Sequence, residues 1–168
     1  MQPDHIQLPW TGNKASSAMD PNWLSQTTDA LVKILAAYVL ALPVAWDRER
    51  AGHSAGLRTF PLVATAAAAY VLIATAMYPD ALAQARVVEG LITGIGFIGG
   101  GAILRMKNNV YGTATAASIW ATAAIGAAAA YGLYHISIIL SLLNFATLRL
   151  LRPLKSQSEE DTTKTLDS

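Results

Sequence analysis

Three long stretches of this chain contain no Asp, Glu, Lys, Arg or His: residues 59–78, 90–104 and 114–134. Apolar residues come in blocks in these stretches rather than on one face of a repeat, which is typical of segments surrounded by lipid. Charged residues make up only 14% of the 168 residues, against about 25% in an average soluble domain. A globular all-α domain is the alternative, but so short a chain could not cover such helices with polar faces.

The apolar stretches predict an all-α membrane protein, a bundle of about five short transmembrane helices. A helix rises about 1.5 Å per residue and must cross about 30 Å of hydrocarbon. Glycines and prolines punctuate the gaps between the spans. The predicted spans are 29–46, 60–78, 87–104, 114–131 and 135–151, within a transmembrane domain of residues 29–152 that follows a polar lead of residues 1–28 and precedes a disordered acidic tail of residues 153–168.

The distribution of basic residues predicts which ends of the spans face the cytoplasm. Arginines and lysines cluster after spans 1, 3 and 5, and few lie between spans 2 and 3 or before span 1. Because basic loops stay in the cytoplasm, we expect the amino terminus outside and the carboxyl terminus inside. The first twenty residues lack the apolar core of a cleavable signal, so the first span is expected to direct insertion.

The composition also argues against several function classes. A net charge of +1 without a basic domain surface does not favour a nucleic-acid partner. The chain has no cysteine, which removes thiol chemistry and cysteine-ligated metals. No nucleophile, base and orienting acid can be placed together and no phosphate loop appears, so we expect no enzyme activity and no cofactor. Whether a metal binds is unknown from the sequence.

Span 3 is unusual in its glycine content. At 100° per residue, some of its glycines lie on one side of the helix and some roughly opposite, so that the helix is smooth on two faces. Small residues allow close helix packing in lipid, which we favour over a functional bend or unwinding at Gly99-Gly100-Gly101. The glycines are Gly90, Gly94, Gly96, Gly99, Gly100 and Gly101, and one face contains Glu89, Thr93, Gly96 and Gly100. Glu89 could pair with Arg86 or could bind an ion.

Span 4 contains a stripe of hydroxyls at i, i+3 and i+7. Thr115, Ser118 and Thr122 form it, and it continues toward Gly126. The hydroxyls could bond back to carbonyls one turn earlier or across to span 3, which we favour, or they could line a narrow polar path.

The cytoplasmic rim is predicted to be basic and to contain two helix amino ends. Thr59 and Thr113 are expected to cap spans 2 and 4. Helix amino ends beside arginines attract anions, and phospholipid head groups are the obvious candidates. The alternative is ordinary topology signalling together with a salt-bridge cluster. The rim residues are Arg48, Glu49, Arg50, Arg58, Thr59 and Arg105.

Three ordered motifs within residues 30–135 resemble the MgtC/SapB family of bacterial membrane proteins. They are Asp47-Arg48-Glu49-Arg50 with Ala55-Gly56-Leu57-Arg58-Thr59, then Gly94-Ile95-Gly96-Phe97-Ile98-Gly99-Gly100-Gly101, then Thr115-Ala116-Ala117-Ser118-Ile119-Trp120-Ala121-Thr122-Ala123-Ala124-Ile125-Gly126. The resemblance implies a multi-pass protein of the bacterial inner membrane, linked in some members to magnesium limitation, stress adaptation or virulence. The family's Gly-Leu-Thr-Thr pattern is Gly112-Thr113-Ala114-Thr115 here, and the carboxyl-terminal soluble domain of some members is expected to be absent.

Two functions follow from these patterns. The chain could be a non-enzymatic regulator that packs its glycine and hydroxyl faces against another membrane complex, and we favour this hypothesis. The alternative is a small homo-oligomeric channel or carrier for magnesium, potassium or protons that uses spans 3 and 4. The expected partners are therefore membrane lipids and either another membrane protein or further copies of this chain.

Overall fold

The computed structural model describes residues 21–106 and 109–151 as five helices and one short hairpin. The elements are α1 (Trp23–Arg50), α2 (Thr59–Met77), α3 (Ala81–Gly101), β1 (Leu104–Met106), β2 (Asn109–Tyr111), α4 (Thr113–Ala130) and α5 (Tyr134–Leu150). The predicted disordered tail and most of the predicted polar lead lie outside the described residues.

The helices confirm the predicted all-α membrane bundle. Helices α1 to α4 are long and apolar enough to cross a bilayer. Helix α5 is apolar but only 17 residues long, at the lower limit of about 17 to 25 residues for a transmembrane helix. The side of the membrane on which each terminus lies stays a prediction from the basic residues.

Two helices begin earlier than the hydropathy pattern predicted. Helix α1 starts at Trp23 and ends at Arg50, because a helix can continue through polar residues beyond the part that lipid surrounds. Helix α3 starts at Ala81. The carboxylate of its N-cap residue Asp80 accepts a hydrogen bond of 3.0 Å from the Ala83 N–H, as capping aspartates commonly do. Hydropathy delimits the part of a helix in lipid, not the whole helix.

The hairpin between α3 and α4 was not predicted. Strands β1 and β2 pair antiparallel with Leu104 opposite Tyr111 and Arg105 opposite Val110. The strand β2 leads into Gly112, which has φ of 84°. A Cβ at this glycine would overlap the Ala102 carbonyl oxygen, so the hairpin and the start of α4 require glycine here.

Helix α4 lies at the centre of the bundle and packs against the other four helices. The backbones of α4 and α2 approach closely at Gly126, where an added Cβ would overlap the backbone carbonyl of Ala64. Many of the buried residues on these helices are alanines, and small side chains let helix backbones approach closely in lipid. The helices α1, α2, α4 and α5 therefore form a dense bundle.

Helix α3 lies at the edge of this bundle. Its main contacts with other helices are with α2 and α4. It buries just Ile95 and Gly99. Most of the surface of α3 is thus available to lipid or to another protein.

Candidate functional site: the exposed face of α3 and the basic end

The four residues that the sequence placed together on span 3 form one exposed face of α3. Glu89, Thr93, Gly96 and Gly100 are all exposed, and at 100° per residue they lie within an arc of about 60°. Nothing lies within 4 Å of a Cβ built on Gly96 or Gly100. We call these four residues the exposed face of α3. Phe97, beside them, is 85% exposed.

Of the other glycines of α3, only Gly99 packs closely against another helix in the part of the chain that the structure describes. A Cβ on Gly99 would lie 3.3 Å from the Ala116 carbonyl oxygen of α4. The same construction at Gly94 and Gly101 meets no atom within 4 Å in the part of the chain that the structure describes. Gly99 therefore serves the contact between α3 and α4, and most of the glycine content serves no contact within the described chain.

The hydroxyl stripe of α4 is buried in helix contacts. Ser118 Oγ donates to the Ala114 carbonyl at 2.6 Å, and Thr122 Oγ1 donates to the Ser118 carbonyl at 2.7 Å. Thr115 is buried as well, and Gly126 lies against α2. The structure thus uses the Ser118 and Thr122 hydroxyls within α4 itself, the arrangement that hydroxyls adopt when they bond back one turn.

Three polar side chains of α5 tie the helices together, and none of them is among the predicted site residues. Ser137 Oγ donates to the Ile125 carbonyl at 3.0 Å, and Ser141 Oγ donates to the Leu40 carbonyl at 2.6 Å. Asn144 Nδ2 donates to the Ser118 carbonyl at 3.3 Å. Serines at i and i+4 in an otherwise apolar span were the available signal, because hydroxyls there commonly bond across helices.

The predicted rim residues gather at one end of the bundle, which we call the basic end: the carboxyl ends of α1, α3 and α5 with the amino ends of α2 and α4. Its buried centre is an ion pair between neighbours, in which Arg48 Nη2 lies 3.1 Å from Asp47 Oδ2 with side chains 5% and 3% exposed. Arg149 of α5 approaches the second Asp47 oxygen at 4.0 Å. The Asp47 carboxylate is therefore shared between Arg48 of its own helix and Arg149 at the end of α5.

Arg48 also joins the loop after α1. Its Nη1 lies 3.5 Å from His53 Nε2, and since a guanidinium can only donate, the imidazole nitrogen is the acceptor. Its Nε is buried without a hydrogen-bond partner among the described residues. A buried charge that is paired but not fully hydrogen-bonded depends strongly on its one carboxylate.

The remaining rim residues do not form the salt-bridge cluster that was considered. Glu49 Oε2 instead accepts a hydrogen bond of 3.0 Å from the Leu57 N–H, across the loop. The Arg50 guanidinium lies 4.7 Å from the centre of the Trp46 ring, a cation–π distance. Arg58 and Arg105 are exposed.

The two predicted threonine caps are wrong. The N-cap of α2 is Arg58 rather than Thr59, and that of α4 is Gly112 rather than Thr113, and neither cap makes a side-chain hydrogen bond. At α2 a backbone carbonyl takes this role, because the Gly56 carbonyl accepts from the Thr59 N–H at 3.0 Å and from the Phe60 N–H at 3.2 Å. At α4 the Gly112 carbonyl accepts the first bond within the helix, from the Ala116 N–H at 2.8 Å. Each helix thus starts one residue away from the cap that composition suggested.

Metal ligands are not clustered in the described part of the chain: no three His, Asp or Glu residues lie close enough together there to hold an ion.

Comparison with known proteins places the chain in a family. The model of the MgtC family matches residues 34–157. YhiD of Escherichia coli, a candidate magnesium transporter by name, is 30% identical over 135 residues, which cover 76% of this chain and 63% of YhiD. SrpB of Synechococcus elongatus is 34% identical over 140 residues, covering 76% and 75% of the two chains. MgtC of Salmonella typhimurium is 34% identical over 122 residues, covering 73% and 52%.

The matches thus cover somewhat more than half of the length of YhiD and of MgtC. No solved structure matches the chain. The family model and the apolar helices together lead to one conclusion: this chain belongs to the MgtC family, as a multi-pass protein of the bacterial cytoplasmic membrane.

Proposed function

We propose that this chain is a non-enzymatic regulator that docks through the exposed face of α3 onto another membrane protein involved in magnesium homeostasis. The link to magnesium rests on its similarity to MgtC and to the candidate magnesium transporter YhiD. The link to docking rests on α3, a membrane helix that buries only two residues in its own bundle.

The exposed face has the form of a helix-docking surface. Gly96 and Gly100 are spaced four apart with open space over both, the small-xxx-small arrangement that lets a second transmembrane helix approach closely. Glycine weakens a helix by about 1 kcal/mol relative to alanine, so these residues cost helix stability without contributing a contact within the described chain. A partner helix would recover that cost through packing.

Glu89 adds a polar anchor to the same face. Its carboxylate forms no ion pair with Arg86 or with another described residue, and the Thr93 hydroxyl donates to the Glu89 backbone carbonyl at 3.0 Å rather than to the carboxylate. A carboxylate within a membrane-spanning helix is costly unless a partner or the interface satisfies it. We therefore expect the partner to place a basic or hydroxyl group there.

The channel alternative finds less support. A polar path along α4 would need the hydroxyls of Ser118 and Thr122 to face an open route. Both instead donate to carbonyls of their own helix, and both side chains are buried among the neighbouring helices. Thr93, on α3, is likewise bonded to its own helix.

The variants Gly96→Leu and Gly100→Leu test the docking face. We expect each to reduce recovery of the partner about tenfold in co-purification from native membranes, because the new side chain keeps the two helices apart. Insertion should stay unchanged and thermal stability should not fall, since nothing lies within 4 Å of either added Cβ. The matched control is Ala117→Leu, which places the same leucine side chain at an exposed position of α4.

Equal recovery of the same partner by wild type and both glycine variants would contradict the proposal. So would magnesium flux into liposomes that contain the purified chain alone, since a regulator needs its partner to change transport.

A further inference from the structure

A second apolar surface of α3 forms a groove with α2. The groove has a volume of about 710 Å³, within the range of about 300 to 1,000 Å³ that is usual for small-molecule sites. Its walls are Leu62, Val63, Ala66 and Tyr70 of α2 and Val87, Gly90, Leu91, Gly94, Ile95 and Ile98 of α3. Gly90 and Gly94 leave open space where side chains would otherwise fill it.

This groove is separate from the exposed face of α3. At 100° per residue, Gly94 lies about 160° around the helix from Gly96 and about 120° from Gly100. None of the residues of the exposed face lines the groove. An occupant of the groove is therefore independent of the partner proposed above.

The walls of the groove are mainly apolar side chains and glycines, so its occupant is apolar along this length. The α3 wall runs from Val87 to Ile98, a rise of about 16 Å. A lipid acyl chain is an occupant of this kind.

The length of the groove also matches one leaflet. The α2 wall residues Leu62, Ala66 and Tyr70 follow one another at four-residue intervals, which places them on one stripe of the helix. From Leu62 to Tyr70 the α2 wall rises about 12 Å, and from Val87 to Ile98 the α3 wall rises about 16 Å. These lengths are close to the half-thickness of the bilayer hydrocarbon core, about 15 Å. The groove thus runs from the basic end to the middle of the membrane.

Arg58 lies one helical turn before Leu62, in line with this stripe and at the basic end. It is four residues before Leu62, is exposed, and is the N-cap of α2 with helical backbone angles. It forms no ion pair with any described residue. An arginine at the membrane interface next to an apolar groove complements a lipid whose head is anionic and whose tail is apolar.

We propose that the groove between α2 and α3 binds one anionic phospholipid from the leaflet at the basic end, with an acyl chain between Ala66 and Gly94 and the phosphate at Arg58. Neither the glycines nor the arginine alone would define such a site. The combination of an apolar groove one leaflet deep with a cation at its mouth does.

Native mass spectrometry of the purified full chain tests this proposal, with phosphatidylglycerol and phosphatidylcholine as probes. We expect wild type to retain one phosphatidylglycerol in preference to phosphatidylcholine. Arg58→Gln should lower this preference about fivefold, the effect expected of one basic residue at an anionic surface. Arg50→Gln is the matched charge control, because Arg50 lies at the same end but against Trp46.

Two further variants fill the groove without changing charge. Ala66→Leu and Gly94→Leu should each abolish the retained lipid, whereas Ala117→Leu on α4 should leave it bound. Equal retention of the two lipids by wild type, or full retention by both groove-filled variants in their folded state, would overturn the proposal. A dimer that Ala66→Leu converts to monomer would also overturn it, since a second copy would then occupy the groove.

Discussion

Replacing Asp47 with alanine should destabilise the bundle by about 3–5 kcal/mol, because the buried Arg48 would lose the only close carboxylate that the described residues give it. The Arg48 side chain is 5% exposed, and its Nε already lacks a hydrogen-bond partner among the described residues. Arg149 would not offset this loss, because it approaches the same carboxylate and would lose that contact as well. The midpoint of thermal unfolding in detergent, followed by size-exclusion chromatography, measures the effect.

Two comparison variants separate the loss of the pair from the loss of a side chain. The double variant Asp47→Leu/Arg48→Met should recover most of the stability, because apolar residues of similar volume often replace a buried ion pair without loss. Asp29→Asn removes the exposed pair between Asp29 and Lys33 and should cost less than about 0.5 kcal/mol. An Asp47→Ala variant as stable as Asp29→Asn would show that the buried pair does not hold the basic end together.

Gly126→Ala should destabilise the protein by about 1–3 kcal/mol, the usual cost of overpacking a core. The added methyl group would overlap the backbone carbonyl of Ala64, and a backbone atom within a buried helix contact cannot move aside as a flexible side chain can. The same unfolding measurement applies.

The matched variant is Gly96→Ala, which adds the same methyl group to open space on α3. It should leave stability unchanged or raise it by up to about 1 kcal/mol through helix propensity. Equal losses from the two variants would mean that α2 and α4 do not meet at Gly126.

Hydropathy was sufficient to predict the helical bundle, because apolar stretches in lipid leave the backbone few alternatives to a helix. It could not predict where polar helix ends stop, so α1 and α3 extend beyond their predicted spans. The caps at Thr59 and Thr113 failed for a related reason. The Gly56 carbonyl accepts the first N–H groups of α2, and Gly112 takes the N-cap position of α4 with a positive φ, and sequence composition does not report backbone geometry.

The glycines of span 3 show what the sequence could and could not reveal about the site. Helical periodicity grouped Glu89, Thr93, Gly96 and Gly100 on one face. It could not tell whether that face meets a neighbour in the same chain, because burial depends on which helices pack together. The structure puts α4 against Gly99 and leaves the grouped face exposed.

Similar limits applied to the polar residues of the membrane spans. The hydroxyl stripe of α4 left two interpretations open, and hydrogen-bond geometry was needed to see that Ser118 and Thr122 bond within their own helix. Ser141 gave no sequence signal of its own partner, which is 101 residues away along the chain. The pairing of α1 with α5 decides that contact.

Site-specific photo-cross-linking from position 97 in native membranes tests the central claim most directly. Phe97 is 85% exposed beside the docking face, and a cross-linking amino acid there should capture one defined membrane protein. Gly100→Leu in the same chain should remove this product, whereas the same cross-linker at the exposed Leu142 of α5 should not form it. A cross-link that forms equally from both positions, or that Gly100→Leu leaves unchanged, would contradict docking through the exposed face of α3.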